Sequence, residues 1–130
     1  VNMFVATFIG SPQMNLVEGT ATTEGSHVTV KGTNFQFTLP APSSPVNGKV
    51  IVGFRPEHLT PGEGASTFRA EVEVIEPMGS EAFIYLKSEK GNVVARVDEA
   101  HIPKVGDTYT LTIDPAKVHL FDPGTEKRLN

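Results

Sequence analysis

The spacing of apolar residues changes once along this chain. At its start Val1, Phe4, Val5, Phe8 and Ile9 recur three and four positions apart, which gathers them on one face of a helix. Gly10 and Pro12 then stop that helix. Isolated helices below roughly 12–15 residues are marginal in water, so this one must dock its apolar face on something. From Met14 onward the period becomes two. Leu16, Glu18 and Thr20 alternate with Val17, Gly19 and Ala21, and Phe35, Phe37 and Leu39 alternate with Gln36 and Thr38. Phe68, Ala70, Val72 and Val74 alternate with Arg69, Glu71 and Glu73, which predicts a strand with one dry and one wet face. Tyr109, Leu111 and Ile113 alternate with Thr110 and Thr112. Val50–Val52, Ala82–Lys87, Val93–Val97 and Val118–Phe121 read as further short strands.

Turn residues punctuate this pattern. Lys31-Gly32-Thr33-Asn34 makes a turn before Phe35, and the longest loop runs from Pro40 to the turn pair Asn47-Gly48. Thr60–Thr67 is turn-rich, Pro77-Met78-Gly79 breaks the strand before it, and Lys90-Gly91-Asn92, Gly106-Asp107 and Asp122-Pro123-Gly124 close the remaining segments. About eight to ten short strands at regular turn spacing point to an all-β barrel or sandwich. Closing a barrel would remove the exposed edges that such strands otherwise present.

Composition narrows the function classes. A chain of 130 residues suits one domain, and 38% hydrophobic residues distinguish it from a disordered tail despite twelve glycines and ten prolines. A formal net charge of −4 opposes non-specific nucleic-acid binding and an anionic membrane surface, both of which need a basic footprint. Eight Phe without any Trp on an acidic chain make a poor single-strand stacking platform. With no cysteine there are no disulfides or thiolate metal sites. No apolar run approaches the roughly 20 residues that span a bilayer, and no secretory signal pattern opens the chain. Val1 falls inside an apolar pattern, as in a piece of a longer protein.

Candidate chemistry is sparse. The one Gly-Lys pair, Gly48-Lys49, is followed by Val50 and preceded by a proline-rich loop, so it reads as a hairpin turn rather than a phosphate loop. His27, His58, His101 and His119 are scattered without metal-ligand spacing, and no Gly-x-Ser-x-Gly elbow is present. Glu71 and Glu73 share a strand face with Arg69, as on a solvated surface with charge pairing. The polar knot that stands out is Gly53-Phe-Arg-Pro-Glu-His-Leu59, directly after Val50-Ile51-Val52. Pro56 fixes its own φ and biases Arg55 towards an extended conformation, so Arg55, Glu57 and His58 are aimed side chains. They suit a structural clamp or a contact site better than a reaction centre. Glu76, Met78 and Gly79 form a second knot, where a strand break can present an adaptable methionine.

Gly53–Leu59 resembles the signature of the C-terminal regulatory (TOBE) domain of ATP-binding subunits of sugar-type ABC importers, the group that includes maltose and glycerol-phosphate systems. Asn2–Asn15, Val74–Glu81 and His119–Pro123 fit the same family in the same order, so the resemblance spans nearly the whole chain. It implies an OB-type barrel over residues 14–130, joined by a linker helix and loop over residues 1–13 to an upstream ATPase domain. ATP and Mg would belong to that domain, and this segment would hold no cofactor, no metal and no catalytic residue. The resemblance further implies a regulatory, dimer-stabilising role, with two such domains meeting across a symmetric interface. Interface or structural roles then fall to Phe54, Arg55, Pro56, Glu57, His58, Glu76, Met78, Gly79, Phe121 and Asp122. Expected partners are a second copy, the ATPase domain, membrane subunits of the transporter and a regulatory protein, but no nucleic acid. The expected location is cytoplasmic, peripheral at the inner face of the plasma membrane. The alternative is a small-ligand module taking a sugar or an oxyanion, with Arg55, Arg69 or Arg96 as anion donors.

Overall fold

Period-two patterning is realised as strands throughout residues 13–130, which the computed structural model describes. The helix expected from Val1 to Ile9, with its Gly10 and Pro12 stop, lies outside the described residues. The strands are β1 (Asn15–Glu24), β2 (His27–Gly32), β3 (Phe35–Pro40), β4 (Gly48–Phe54), β5 (Leu59–Pro61), β6 (Thr67–Pro77), β7 (Glu81–Ser88), β8 (Gly91–Asp98), β9 (Thr108–Ile113) and β10 (His119–Phe121). Single-turn 3₁₀ segments occupy Pro56–His58, Glu99–His101 and Pro115–Lys117. Ten strands in one curled sheet give the expected all-β, OB-type architecture.

Strand order along the sheet is β10-β4-β1-β2-β3-β6-β7-β8, and β9 pairs with both β5 and β6. The core lies inside the curl. Phe37, Phe54 and Phe68 are fully enclosed there, with the Phe37 and Phe54 rings edge to face at 5.5 Å. Such aromatic contacts add roughly 0.5–1.5 kcal/mol beyond the area they bury. Alternation predicted these faces: Phe35, Phe37 and Leu39 point in while Gln36 points out. Asn34 takes φ 73°, a left-handed turn position that asparagine tolerates, and this lets β2 run on through Gly32 before the chain reverses.

Three expectations need correction. Val74 does not lie on the dry face with Phe68, Ala70 and Val72. A bulge between Val72 and Val74 adds a residue to β6, so Val74 is 51% exposed and Ile75 packs on the core instead. The turn-rich stretch after Leu59 begins with a short strand, β5, held by pairing to β9. Gly48-Lys49 is not a hairpin turn, because β4 pairs with β1 and β10 and not with β3. Strands β10 and β8 form the two ends of the curled sheet.

Two asparagine side chains treat those sheet ends. Asn15 donates from Nδ2 to the Val94 carbonyl at 2.9 Å and accepts the Val94 N–H on Oδ1 at 2.8 Å, so one amide clamps β1 to β8. Asn130 does the same for the region of β10, accepting the Leu120 N–H at 2.8 Å and donating to the Val118 carbonyl at 3.0 Å. An amide side chain carries the donor and acceptor of a peptide group, so it can stand in for a neighbouring strand.

Candidate functional site

The Gly53–Leu59 motif sits where β4 leaves the sheet. Gly53 is glycine for a steric reason: a Cβ there would meet the Met14 sulfur at 2.6 Å and a Phe121 ring carbon at 2.9 Å. Phe54 anchors the strand end in the aromatic core. Arg55 is extended, with φ −87° and ψ 149°, as expected before a proline. Pro56 then opens a 3₁₀ turn, where its missing N–H costs nothing, and is itself buried. His58 donates its backbone N–H to the Arg55 carbonyl at 3.1 Å, and Leu59 closes the turn onto Pro56. Leu59 is buried, so Arg55, Glu57 and His58 are held from both ends.

Pairing of β10 with β4 places His119 opposite Gly53, beside this turn. Arg128 reaches the same region through a bridge between its backbone and that of Phe121. Burial holds the His119 imidazole below its ordinary range, and the charges of Arg128, Arg55 and His58 push it the same way. Arg55, His58 and His119 are each half-buried here, and Arg128 lies exposed within electrostatic reach of His119. The Nδ1 atoms of His58 and His119 and one Glu57 oxygen, Oε1, are enclosed without a protein hydrogen-bond partner. An unpartnered enclosed polar atom is destabilising. The cluster has no nucleophile poised beside a base. Its chemistry is electrostatic: the positive charge comes from Arg55 and Arg128, beside a His119 held towards its neutral form and with the Glu57 carboxylate in the same turn.

The other candidates separate into enclosed and exposed residues. Phe121 is buried, and its ring packs where a Gly53 side chain would go. Asp122 shapes the following turn, its carboxylate accepting the N–H groups of Gly124 at 2.8 Å and Thr125 at 2.9 Å. Those bonds, Thr125 first, hold its carboxyl below the usual range. Of the remaining candidates, Glu76 accepts the Tyr85 hydroxyl at 3.1 Å, Met78 is 52% exposed, and Gly79 takes φ 84° in the β6–β7 turn. Arg69 is exposed and Arg96 pairs with Glu81 at 3.5 Å, so the arginines do not converge on one anion. Among the described residues no three His, Asp or Glu side chains assemble as a metal site.

Sequence reasoning passed over Asn15, Asn130 and Ser66. Ser66 is buried; its Oγ accepts the Thr38 N–H at 3.0 Å, and its carbonyl accepts the Ile113 N–H at 3.1 Å and the Thr112 hydroxyl at 2.9 Å. A lone Ser or Asn inside a loop or strand start carries no local signal of such a role. Pattern reading also missed a cleft of about 240 Å³ on the side of β1, floored by Leu16, Val17, Phe35 and Ile51. The Lys90–Glu18 ion pair at 3.0 Å crosses its rim.

Comparison with known proteins follows the same outline. Residues 52–121 match the TOBE domain family, and residues 10–59 match the MalK OB fold domain family. The sn-glycerol-3-phosphate import ATP-binding protein UgpC of Chromobacterium violaceum is 35% identical over 128 residues, covering 97% of this chain and 34% of that protein. The sulfoquinovosyl glycerol transport ATP-binding protein SmoE of Agrobacterium fabrum is 32% identical over 134 residues, covering 99% of this chain and 37% of that protein. The chain spans about a third of the length of the curated relatives it matches. Among solved structures, the cytoplasmic molybdate-binding protein ModG superposes with a TM-score of 0.60 at 14% identity, over 82% of this chain and 94% of that one. At that identity the likeness is one of fold.

Proposed function

We propose that this chain, which belongs to the TOBE domain family, is the regulatory and dimer-stabilising domain of an ABC transporter ATP-binding subunit that energises uptake of a sugar or sugar-like solute. The observation that carries this is collinearity: TOBE and MalK OB matches overlap end to end along the chain, and relatives named as import ATP-binding proteins align over nearly all of it. The domain is non-catalytic by itself. ATP and Mg would be held by an ATPase domain in the same polypeptide, and membrane subunits would carry the solute. Such a protein works in the cytoplasm, at the inner face of the plasma membrane. No described helix is long and apolar enough to cross a membrane.

The mechanism is mechanical. Two copies in isologous contact keep a pair of ATPase domains together while those open and close. Arg128, exposed beside His119 and the Arg55 turn, is the half of that contact we favour, since it would receive an acidic group of the second copy. Sedimentation of the 130-residue chain over a wide concentration range tests this. A reversible dimer weakened by Arg128→Glu is expected. A well-folded monomer at every concentration would sink the tethering role.

The cleft beside β1 favours a second reading, a small-ligand module. Its apolar floor and mixed Lys and Glu rim suit a neutral polyol better than an oxyanion, because Glu18 and Glu89 oppose negative charge. Calorimetric titration with glucose, glycerol phosphate and molybdate separates the classes, and silence with all three removes this reading.

A further inference from the structure

We propose that the outer face of β6, β7 and β8 is a docking surface for a segment of another protein whose apolar side chains are flanked by lysine and arginine. Strand register builds the face. Val74 lies opposite Tyr85 and Tyr85 opposite Val94, while Glu76 lies opposite Phe83 and Phe83 opposite Arg96. Directly opposed residues share a face of the sheet. Their neighbours Ile84, Leu86, Val93 and Ala95 are buried, so these two rows face outward. Phe83, Tyr85 and Val94 are each half-buried, and the bulge at Val72/Val74 is what turns Val74 out beside them.

The connections at this end extend the apolar surface. Glu99 donates its N–H to the Ser80 carbonyl at 3.0 Å, tying the Glu99–His101 turn to the hairpin tip that carries Met78. Val72 exchanges backbone bonds of 2.8 Å with Gly106 and Asp107, which ties the loop that carries Val105 to β6. The exposed large hydrophobics among the described residues are Val74 at 51%, Met78 at 52%, Ile102 at 37% and Val105 at 63%, and all four belong to these joined segments. Scattered exposed apolar residues are ordinary, whereas a contiguous group on one face marks an interaction surface.

Charge decides the occupant. Glu73 accepts from the Asn92 amide at 2.7 Å and Glu76 from the Tyr85 hydroxyl at 3.1 Å, so each of these bonds is to a neutral donor. Arg96 is answered by Glu81 and His101 by Asp98 within the face itself. Lys87, opposite Asn92 on the same rows, offsets one of these charges, and an acidic rim is left around the apolar strip. A second copy would set Glu73 and Glu76 against their own kind, and an anionic membrane would be repelled for the same reason. A basic amphipathic segment satisfies both the strip and the rim, and the unbranched Met78 side chain adapts to it.

Titration of the isotope-labelled chain with a synthetic peptide of alternating Leu and Lys, followed by amide NMR, tests the assignment. The expected shifts fall on residues 74–85 and 102–106, weaken as salt rises, and are absent with a Leu and Glu peptide. Met78→Ser and Glu76→Lys, both exposed changes that leave the spectrum folded, should each weaken binding about tenfold. Shifts centred elsewhere, equal binding of the Leu and Glu peptide, or no binding overturn the assignment. Concentration-dependent broadening of the same amides without peptide, relieved by Met78→Ser, overturns it in favour of a second copy. Sedimentation reports the dimer separately, so failure here and failure of the tethering role are distinguishable.

Discussion

Replacing Asn15 by alanine removes both bonds that hold β1 to β8, the Nδ2 donation to the Val94 carbonyl and the acceptance of the Val94 N–H. Each bond is of ordinary length, 2.9 and 2.8 Å, and partly buried. A net contribution of about 1 kcal/mol per bond gives about 2 kcal/mol for the pair, with Val94 regaining some water when the amide is gone. For a domain of this size, an unfolding entropy of about 270 cal/mol/K turns that into a fall in Tm of about 7 °C. Urea unfolding followed by far-ultraviolet circular dichroism should show a lower midpoint with an unchanged slope, since the surface exposed on unfolding is the same. Asn15→Asp keeps the acceptor and loses the donor, so it should cost at least half as much. Hydrogen exchange adds a local readout: the Val94 amide should exchange faster in Asn15→Ala than the buried amides of β7. A change in stability below about 0.5 kcal/mol, with Val94 exchange unaltered, would refute the clamp.

Gly53→Ala should destabilise by about 1–3 kcal/mol through the clash with Met14 and Phe121, and Met14→Ala in the same chain should recover part of it in the same urea assay. Phe54→Ala empties a fully enclosed aromatic site and should cost about 3–5 kcal/mol, read as loss of the cooperative transition or a large shift in its midpoint. His119 has its folded-state pKa lowered, so the unfolded chain takes up that proton more readily. Its contribution to stability is therefore full above the ordinary histidine value of about 6.5 and is lost as pH falls below it. Midpoints measured from neutral to mildly acidic pH should decline less in His119→Gln than in the parent; identical slopes would remove His119 as the cause.

Most strands, and the face that most of them present, could be read from the sequence alone, β5 excepted. Alternation at Phe35, Phe37 and Leu39, and at Phe68, Ala70 and Val72, survives in the burial of each strand because the two-residue period is a property of the extended backbone. Extension of Arg55 before Pro56 and the turns at Gly79 and Gly91 were legible for the same local reason. The motif Gly53–Leu59 was legible as a fixed polar knot, although not what surrounds it. Tertiary structure alone decided that His119 and Arg128 join Arg55 and His58, because that depends on β10 pairing with β4. It alone turned Val74 outward, since a bulge is a mismatch between two strands and neither strand encodes it alone. It alone put Asn15 on Val94, 79 residues away, to treat a sheet edge that pairing leaves open. Periodicity is written between neighbours in sequence, whereas pairing, register and edge protection are contacts between distant residues with no local mark.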